Sequence, residues 1–142
     1  MREMTEKGWA EFLRAGTRTA KLATVLTNRR PTVTPVWFLY ESDGVIHIET
    51  GAASAKVKAL RRDPRASLVV DLEEPPYGYV RVDATATFVA DPAEVCRVAE
   101  AAGRRYMGDE RAEEYGKRNS GPGQIVIEFH PTCATAWADI TH

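Results

Sequence analysis

The chain has 142 residues, of which 44% are hydrophobic and 27% charged, and these values are typical of a globular protein. Residues 1–142 have the length of one ordinary domain, which can bury a core without help from a metal ion or a disulfide. The formal net charge of -1 leaves no overall positive field, which argues against nucleic acid or an anionic membrane as a partner.

The two cysteines, Cys96 and Cys133, form no CxxC pair and do not lie at metal-ligand spacing from a histidine. We therefore expect no metal site. The first residues, Met1–Glu3, are charged and no apolar signal-peptide core follows them, and no apolar run approaches the length of a membrane span. These features predict a cytoplasmic protein with reduced thiols.

The first third of the sequence predicts a helix followed by three strands. Thr5 can cap a helix that extends to Ala15, because apolar residues recur there at helical spacing. Three strands that we expect to form a continuous antiparallel meander cover residues 21–27, 32–40 and 45–50. Pro35 lies within the second strand and cannot donate to a strand ladder, so it indicates an edge, a bulge or a frayed pairing that a ligand can approach.

The rest of the chain alternates short helices with longer strands. Ser54 can cap a helix that extends to Arg62, with Val57 and Leu60 facing inward. The other predicted elements are strands at 66–72 and 77–89, helices at 93–106 and 109–117, and a sixth strand at 124–129 that can extend over 135–138. Six mostly antiparallel strands without a βαβ repeat predict a mainly β fold, a small barrel with peripheral helices.

The segment from Thr50 to Lys58 is the most informative for function, because it joins a predicted strand to a predicted helix. A helix N-terminus carries unpaired N–H groups and the positive end of the helix dipole, and both attract phosphate. Ser54 adds a hydroxyl and Lys56 a compact positive charge. The spacing is compatible with a phosphate site, and equally with a simple helix cap beside solvated lysines.

No catalytic group of the Ser-His-Asp or Cys-His type can be identified in the sequence. His47 lies between Ile46 and Ile48 in a predicted strand, and we expect it on a solvent face or an interface rather than as a base. His130 and His142 have no obvious partner. This absence is compatible with a cofactor enzyme, in which the cofactor carries out the chemistry and the protein orients it. We assign no catalytic residue.

Several motifs together resemble the pyridoxamine 5'-phosphate oxidase-like FMN-binding split-barrel superfamily, and within it the actinobacterial branch of deazaflavin (coenzyme F420)-dependent oxidoreductases. The motifs that carry the resemblance are Thr34-Pro35-Val36-Trp37-Phe38, Asp43-Gly44, Thr50 with Ser54-x-Lys56, and Leu60-Arg61-Arg62-Asp63-Pro64-Arg65-Ala66. The order of elements agrees from about Thr19 to about Trp137.

The resemblance implies a six-stranded antiparallel split β-barrel, a symmetric homodimer and two cofactor sites at the subunit interface. The residues implied beside the tricyclic ring, through their strand backbone, are Pro35, Val36 and Trp37. The residues implied around the phosphate and ribityl tail are Thr50, Ser54, Ala55, Lys56 and Lys58. Tyr79 is expected to reach the cofactor from the neighbouring subunit or to line the mouth of the pocket.

The implied activity is that of an F420-dependent oxidoreductase that transfers a hydride to an unsaturated small-molecule substrate. Ser54 stands where an arginine is common in FMN-dependent members, which favours coenzyme F420 over FMN. Three alternatives remain open: an FMN-dependent oxidoreductase of the same fold, a non-catalytic flavin, deazaflavin or haem binder, and a structural dimer without a cofactor. The sequence does not define the substrate, and the final proton can come from solvent.

Overall fold

The computed structural model describes residues 1–142 and contains one antiparallel sheet with helices around it. The strands are β1 (Arg2–Glu3), β2 (Ala20–Val25), β3 (Pro31–Val36), β4 (Leu39–Tyr40), β5 (Ile46–Gly51), β6 (Arg65–Leu72), β7 (Gly78–Val89) and β8 (Gln124–Ala138). The helices are α1 (Glu6–Arg14), α2 (Ala55–Arg62), α3 (Pro92–Met107) and α4 (Ala112–Arg118), with a 3₁₀ turn at Asp109–Arg111. The predicted mainly β fold with peripheral helices is confirmed.

The sheet closes on itself through a two-residue link, which we call the seam and which consists of Trp37 and Phe38. The strand order is β3-β2-β6-β7-β8-β5-β4, with β1 paired to β8, so β3 and β4 lie at opposite ends of the sheet. Their chain separation allows at most about 11 Å between Val36 and Leu39. The sheet must therefore curl until its two ends meet, which produces a split barrel.

The predicted continuous meander is wrong at this point. The strand predicted at 32–40 is divided by the seam, and β3 pairs with β2 whereas β5 pairs with β4 and β8. The physical reason is the burial of Phe38, whose side chain is 1% exposed in the barrel core. Its amide donates to the Tyr106 hydroxyl over 3.2 Å and its carbonyl accepts from the Arg105 guanidinium over 2.7 Å. Side chains of α3 thus replace a partner strand.

The strand periodicity predicted for the second half of the chain is confirmed. Along β7 the even-numbered positions from Val80 to Ala86 are buried in the core, and the odd-numbered positions face outward. The last strand runs without interruption to Ala138 rather than ending before the Pro131 bend. A register step leaves Thr132 as the extra residue of a β-bulge opposite Asp83 and Ala84, which accommodates the bend.

The two predicted helix caps are also confirmed, whereas the α-helix predicted to start at residue 109 begins at Ala112, after a 3₁₀ turn. The Thr5 hydroxyl accepts from the Gly8 amide over 3.1 Å, and the Ser54 hydroxyl accepts from the Val57 amide over 3.4 Å. The inward-facing residues predicted for α2, Val57 and Leu60, are fully buried.

Two further observations concern the cysteines and the helices as a set. Cys96 and Cys133 are both free thiols. None of the helices combines the length and the apolar character needed to cross a membrane.

Candidate functional site

A cavity of about 210 Å³ lies between β5, the N-terminus of α2 and the helix α3. Four of the residues singled out in the sequence line it: Val36, Trp37, Thr50 and Lys56. Six further residues complete its wall: His47, Ile48, Glu49, Ala99, Ala102 and Asn119. The seam, the end of β5 and the start of α2 thus meet at one site, although they are separated in sequence.

The other five predicted site residues lie outside the lining of this cavity. Ser54 caps α2 and Ala55 is its first residue. Lys58 is exposed, and it lies about 200° around the helix from Lys56. Pro35 lies on the end strand β3, opposite Lys21 of β2, in agreement with the predicted edge. Tyr79 is half-buried on the outer face of β7.

The N-terminus of α2 presents unused hydrogen-bond donors at the cavity. The amides of Ala55 and Lys56 donate to no acceptor within the chain, since the Ser54 cap takes only the Val57 amide. Lys21 and Lys117 are the lysines that form salt bridges, so the Lys56 ammonium is also unpaired. Two free N–H groups, the positive end of a helix dipole and a cation at the start of one helix are suited to a phosphate or carboxylate group.

Glu49 introduces an acidic group beside this positive region. Burial raises its pKa to about 7, and the nearby Lys56 opposes that rise only in part. With its amide nitrogen turned toward Glu49, Gln124 donates to the Glu49 carboxylate over 2.7 Å. Near neutral pH the carboxyl group is therefore divided between its neutral form and its ionised form, and the charge of the cavity changes with pH.

His47 differs from the sequence-based expectation of a solvent-face or interface residue. Its side chain is only 4% exposed, because the segment after β4 and the helix α3 cover this face of β5. Its Nε2 atom lies 3.4 Å from carboxylate oxygens of both Glu41 and Asp43. Its Nδ1 atom is buried and has no hydrogen-bond partner. The expectation was therefore wrong, and His47 belongs to the cavity wall.

The carboxylates beside His47 are themselves held in place. Arg97 forms a two-pronged ion pair with Glu41, at 2.8 Å for each contact, and also binds Glu94. Burial alone would raise the pKa of Asp43, but the hydrogen bond from the Val45 amide and the neighbouring His47 hold it below its ordinary value. Glu41 and Asp43 thus both place a carboxyl oxygen 3.4 Å from the imidazole Nε2 atom.

Trp37, which lines the cavity, belongs to an aromatic cluster. Trp37 stacks on Tyr106 with ring centroids 5.0 Å apart and planes 4° apart, and it meets Tyr115 at 5.6 Å in a tilted arrangement. The Tyr106 hydroxyl donates to the Arg18 carbonyl over 2.9 Å, and burial raises the pKa of this tyrosine. Trp37 is therefore fixed in orientation by α3 and α4, and it presents a rigid surface to the cavity.

The sequence contained part of the information about the residues that were missed. His47 and Glu49 alternate along β5 with the core residues Ile46 and Ile48, so their shared face was predictable. The sequence did not show that α3 packs over that face. Ala99 and Ala102 carry no chemistry that a motif could reveal, although their small side chains leave the space that the cavity occupies.

The comparison with protein families assigns the chain. The family model described as pyridoxamine 5'-phosphate oxidase matches residues 5–138, and the chain belongs to this family. The predicted split-barrel superfamily is thereby confirmed. A search of curated proteins finds no match.

Solved structures share the fold over most of the chain. The conserved hypothetical protein Rv2991 from Mycobacterium tuberculosis is 28% identical, with a TM-score of 0.82 over 96% of this chain and 86% of that one. An F420 reductase is 22% identical, with a TM-score of 0.67 over 87% and 94%. The haem storage protein HutZ from Vibrio cholerae is 19% identical, with a TM-score of 0.69 over 92% and 94%.

No group of three or more histidine, cysteine, aspartate or glutamate side chains in the chain is arranged so that it could hold a metal ion.

Proposed function

We propose that the chain binds coenzyme F420 in the cavity between β5, α2 and α3, and that it is an F420-dependent reductase of an unsaturated small molecule. The observation that carries this proposal is the unpaired Lys56 ammonium, which stands with two free amides of α2 beside the rigid Trp37. A phosphate-bearing planar cofactor matches both features. One structural neighbour is an F420 reductase, which favours this cofactor.

The chain's own residues would bind and orient the cofactor. Lys56 and the amides of Ala55 and Lys56 would bind the phosphate, with the Thr50 hydroxyl beside them. Val36 and Trp37 would line the tricyclic ring. Coenzyme F420 supplies a hydride from its central ring carbon when it is bound. The helix α3 covers the cavity and would limit the access of water to the reacting centre.

We further propose that residues 1–142 form a single cytoplasmic domain that acts as a homodimer. The outer face of the sheet supports a dimer, because Val33 is 63% exposed there and a shallow depression of about 570 Å³ lies across β2, β6 and β7. Tyr79 lies on this outer face, where a second subunit would bring it near the neighbouring cofactor.

FMN is the second candidate cofactor, because its phosphate satisfies the same donors at α2. Ser54, however, uses its hydroxyl as a helix cap and supplies no positive charge, which leaves Lys56 as the main cation of the site. The small number of positive charges around the proposed phosphate position favours coenzyme F420. A binding protein without catalysis stays the alternative from another class, since one structural neighbour is a haem storage protein.

Fluorescence titration of the purified protein with coenzyme F420 and with FMN tests the proposal. We expect tighter binding of coenzyme F420, and we expect Lys56→Ala to weaken it by about 1–3 kcal/mol through the loss of a charge-assisted hydrogen bond. Lys58→Ala is the matched control, because Lys58 is exposed on the same helix and does not line the cavity. Tight FMN binding without F420 binding, or equal affinities for both variants and wild type, would contradict the proposal.

A further inference from the structure

Glu49 is an acidic residue in a cavity that is proposed to bind an anion, and the proposed function gives it no role. Glu49 and Lys56 both line the cavity. Burial raises the pKa of Glu49 and the charge of Lys56 opposes this rise, so the two groups are close enough to interact, although no salt bridge joins them. An ionised carboxylate at this position would repel a phosphate beside Lys56, whereas a neutral carboxyl group would not.

The hydrogen bonds around Glu49 leave one of its carboxyl oxygens available. The Gln124 amide donates to Oε2 of Glu49 over 2.7 Å and also to the Thr50 carbonyl over 3.2 Å. Oε1 has no partner in the chain, yet it does not belong to the unpartnered atoms that are sealed from solvent, which are Arg18 Nη1 and His47 Nδ1. Oε1 thus keeps accessible surface. When it is protonated this oxygen can donate a hydrogen bond, and when it is ionised it can only accept one.

Few other charged groups lie near Glu49. His47 lies on the same face of β5, and Glu128 lies opposite His47 on the neighbouring strand β8. The helix α3 contributes only alanines to the cavity lining, and no charged neighbour other than Lys56 shifts the pKa of Glu49. The protonation of Glu49 is therefore governed by its burial, by Lys56 and by the charge of any occupant of the cavity.

We propose that Glu49 is a ligand-contacting residue, whose protonated carboxyl group donates a hydrogen bond from Oε1 to the phosphate bound at Lys56. This inference rests on the proposed function and deepens it, because it makes the recognition of the phosphate depend on one proton. Above neutral pH the free carboxyl group is mostly ionised, so it must take up that proton from solvent when the ligand binds. Lys56 then supplies the positive charge of the site, and Glu49 supplies a neutral donor.

Titration calorimetry with coenzyme F420 measures this proton. Binding heats recorded at pH 8 in two buffers of different ionisation enthalpy give the number of protons taken up per bound ligand. We expect the wild type to take up about one proton more than Glu49→Gln. Glu128→Gln is the control, because it removes a carboxylate from β8 outside the cavity lining, and it should take up as many protons as the wild type. F420 binding with equal uptake by the wild type and Glu49→Gln would overturn this inference alone. Failure of both F420 and FMN to bind would overturn the proposed function together with it.

Two substitutions separate a hydrogen bond from an effect of charge alone. Glutamine is neutral and retains a donor, whereas alanine removes both the charge and the donor. At pH 8 we expect Glu49→Gln to bind F420 about five- to tenfold more tightly than the wild type, which must first be protonated. At pH 6 we expect Glu49→Gln to equal the wild type and Glu49→Ala to bind about three- to tenfold more weakly. Equal affinities of the two variants at pH 6 would contradict the contact. Weaker binding by Glu49→Gln at both pH values would indicate a carboxylate that accepts a hydrogen bond from the ligand, and would also contradict it.

Discussion

Glu49 and Lys56 carry opposite charges in the same cavity but form no salt bridge, and this arrangement has a consequence for pH. The pKa of Glu49 is about 7, mainly because the carboxyl group is partly buried. An anionic ligand at Lys56 would disfavour the ionised form still further. Ligand affinity and the protonation of Glu49 are therefore linked, and acidification from pH 8 to pH 6 should favour the binding of an anion.

The effect of Glu49 on stability follows from its raised pKa. In the unfolded chain a glutamate titrates near its ordinary value of about 4.3, so between that value and about 7 only the unfolded state loses the proton. The free energy of unfolding should therefore fall as pH rises through this window and level off above it. Glu49→Gln should remove this dependence and stabilise the protein by up to about 2 kcal/mol at pH 8. Urea unfolding of the wild type and of Glu49→Gln at pH 5 and pH 8 measures the two free energies of unfolding. The same change between the two pH values in both proteins would contradict the prediction.

At the residue scale, the sequence predicted the features that depend on local structure. Ser54 could be identified as a helix cap, and Lys56 as a positive charge at the helix start, because a helix start and its unpaired amides depend on residues adjacent in the chain. The environment of His47 was misjudged because Glu41 and Asp43 fold back onto it from the turn before β5, and because Arg97 on α3 holds Glu41. A strand pattern predicts which face a side chain shares with its neighbours, but not what covers that face.

The contact between the peripheral helices α3 and α4 is connected to the cavity wall through Tyr115 and Trp37. The two helices approach closely at Gly103, where an added Cβ atom would lie 2.5 Å from the Cβ of Tyr115. Tyr115 in turn contacts Trp37. A change at the helix contact should therefore be transmitted to the aromatic wall.

Gly103→Ala tests this connection. The extra methyl group must displace Tyr115, so we expect a loss of about 1–3 kcal/mol in the free energy of unfolding, despite the better helix propensity of alanine. The displacement should also alter the fluorescence of Trp37. Gly121→Ala is the control, because nothing lies within 4 Å of a Cβ atom there. A stability equal to wild type would show that the two helices yield without strain.

At the element scale, helix caps and strand alternation were predictable, and the connection between strands was not. The run at 32–40 has strong β propensity apart from Pro35, and Pro35 indicated an edge or an irregular pairing but not a break at Trp37 and Phe38. The break exists because Phe38 enters the core and Arg105 and Tyr106, some 67 residues further on, bind its backbone. The propensities of residues 32–40 carry no information about partners so far away in the sequence.

At the scale of the whole molecule, the sheet has one face on the core, and its opposite face is covered by α3 at β5 but lies open at β2 and β3. The outer face exposes Val33 and Val25 on neighbouring strands, beside the depression that crosses β2, β6 and β7. A monomer gains nothing from this exposed apolar surface. The proposed homodimer would bury it.

Val33→Glu should therefore shift the protein toward a monomer, because a dimer would have to bury an unpaired charge. The fold of the subunit should persist, since Val33 is largely exposed within it. Light scattering coupled to size-exclusion chromatography measures the mass, and circular dichroism checks the fold. Lys117→Glu on the exposed side of α4 is the control. A wild-type protein that is monomeric at micromolar concentration would refute the proposed dimer.

The seam also determines where the barrel is easiest to open. Elsewhere the sheet is held by ladders of backbone hydrogen bonds, whereas at Phe38 two side chains of α3 hold the backbone. Undocking of α3 would therefore release the seam without the rupture of a ladder, and the same motion would uncover the cavity. Ligand entry and the local opening of the barrel at the seam would thus depend on the same undocking of α3. A ligand bound in the cavity would therefore slow the exchange of the Phe38 amide hydrogen with solvent.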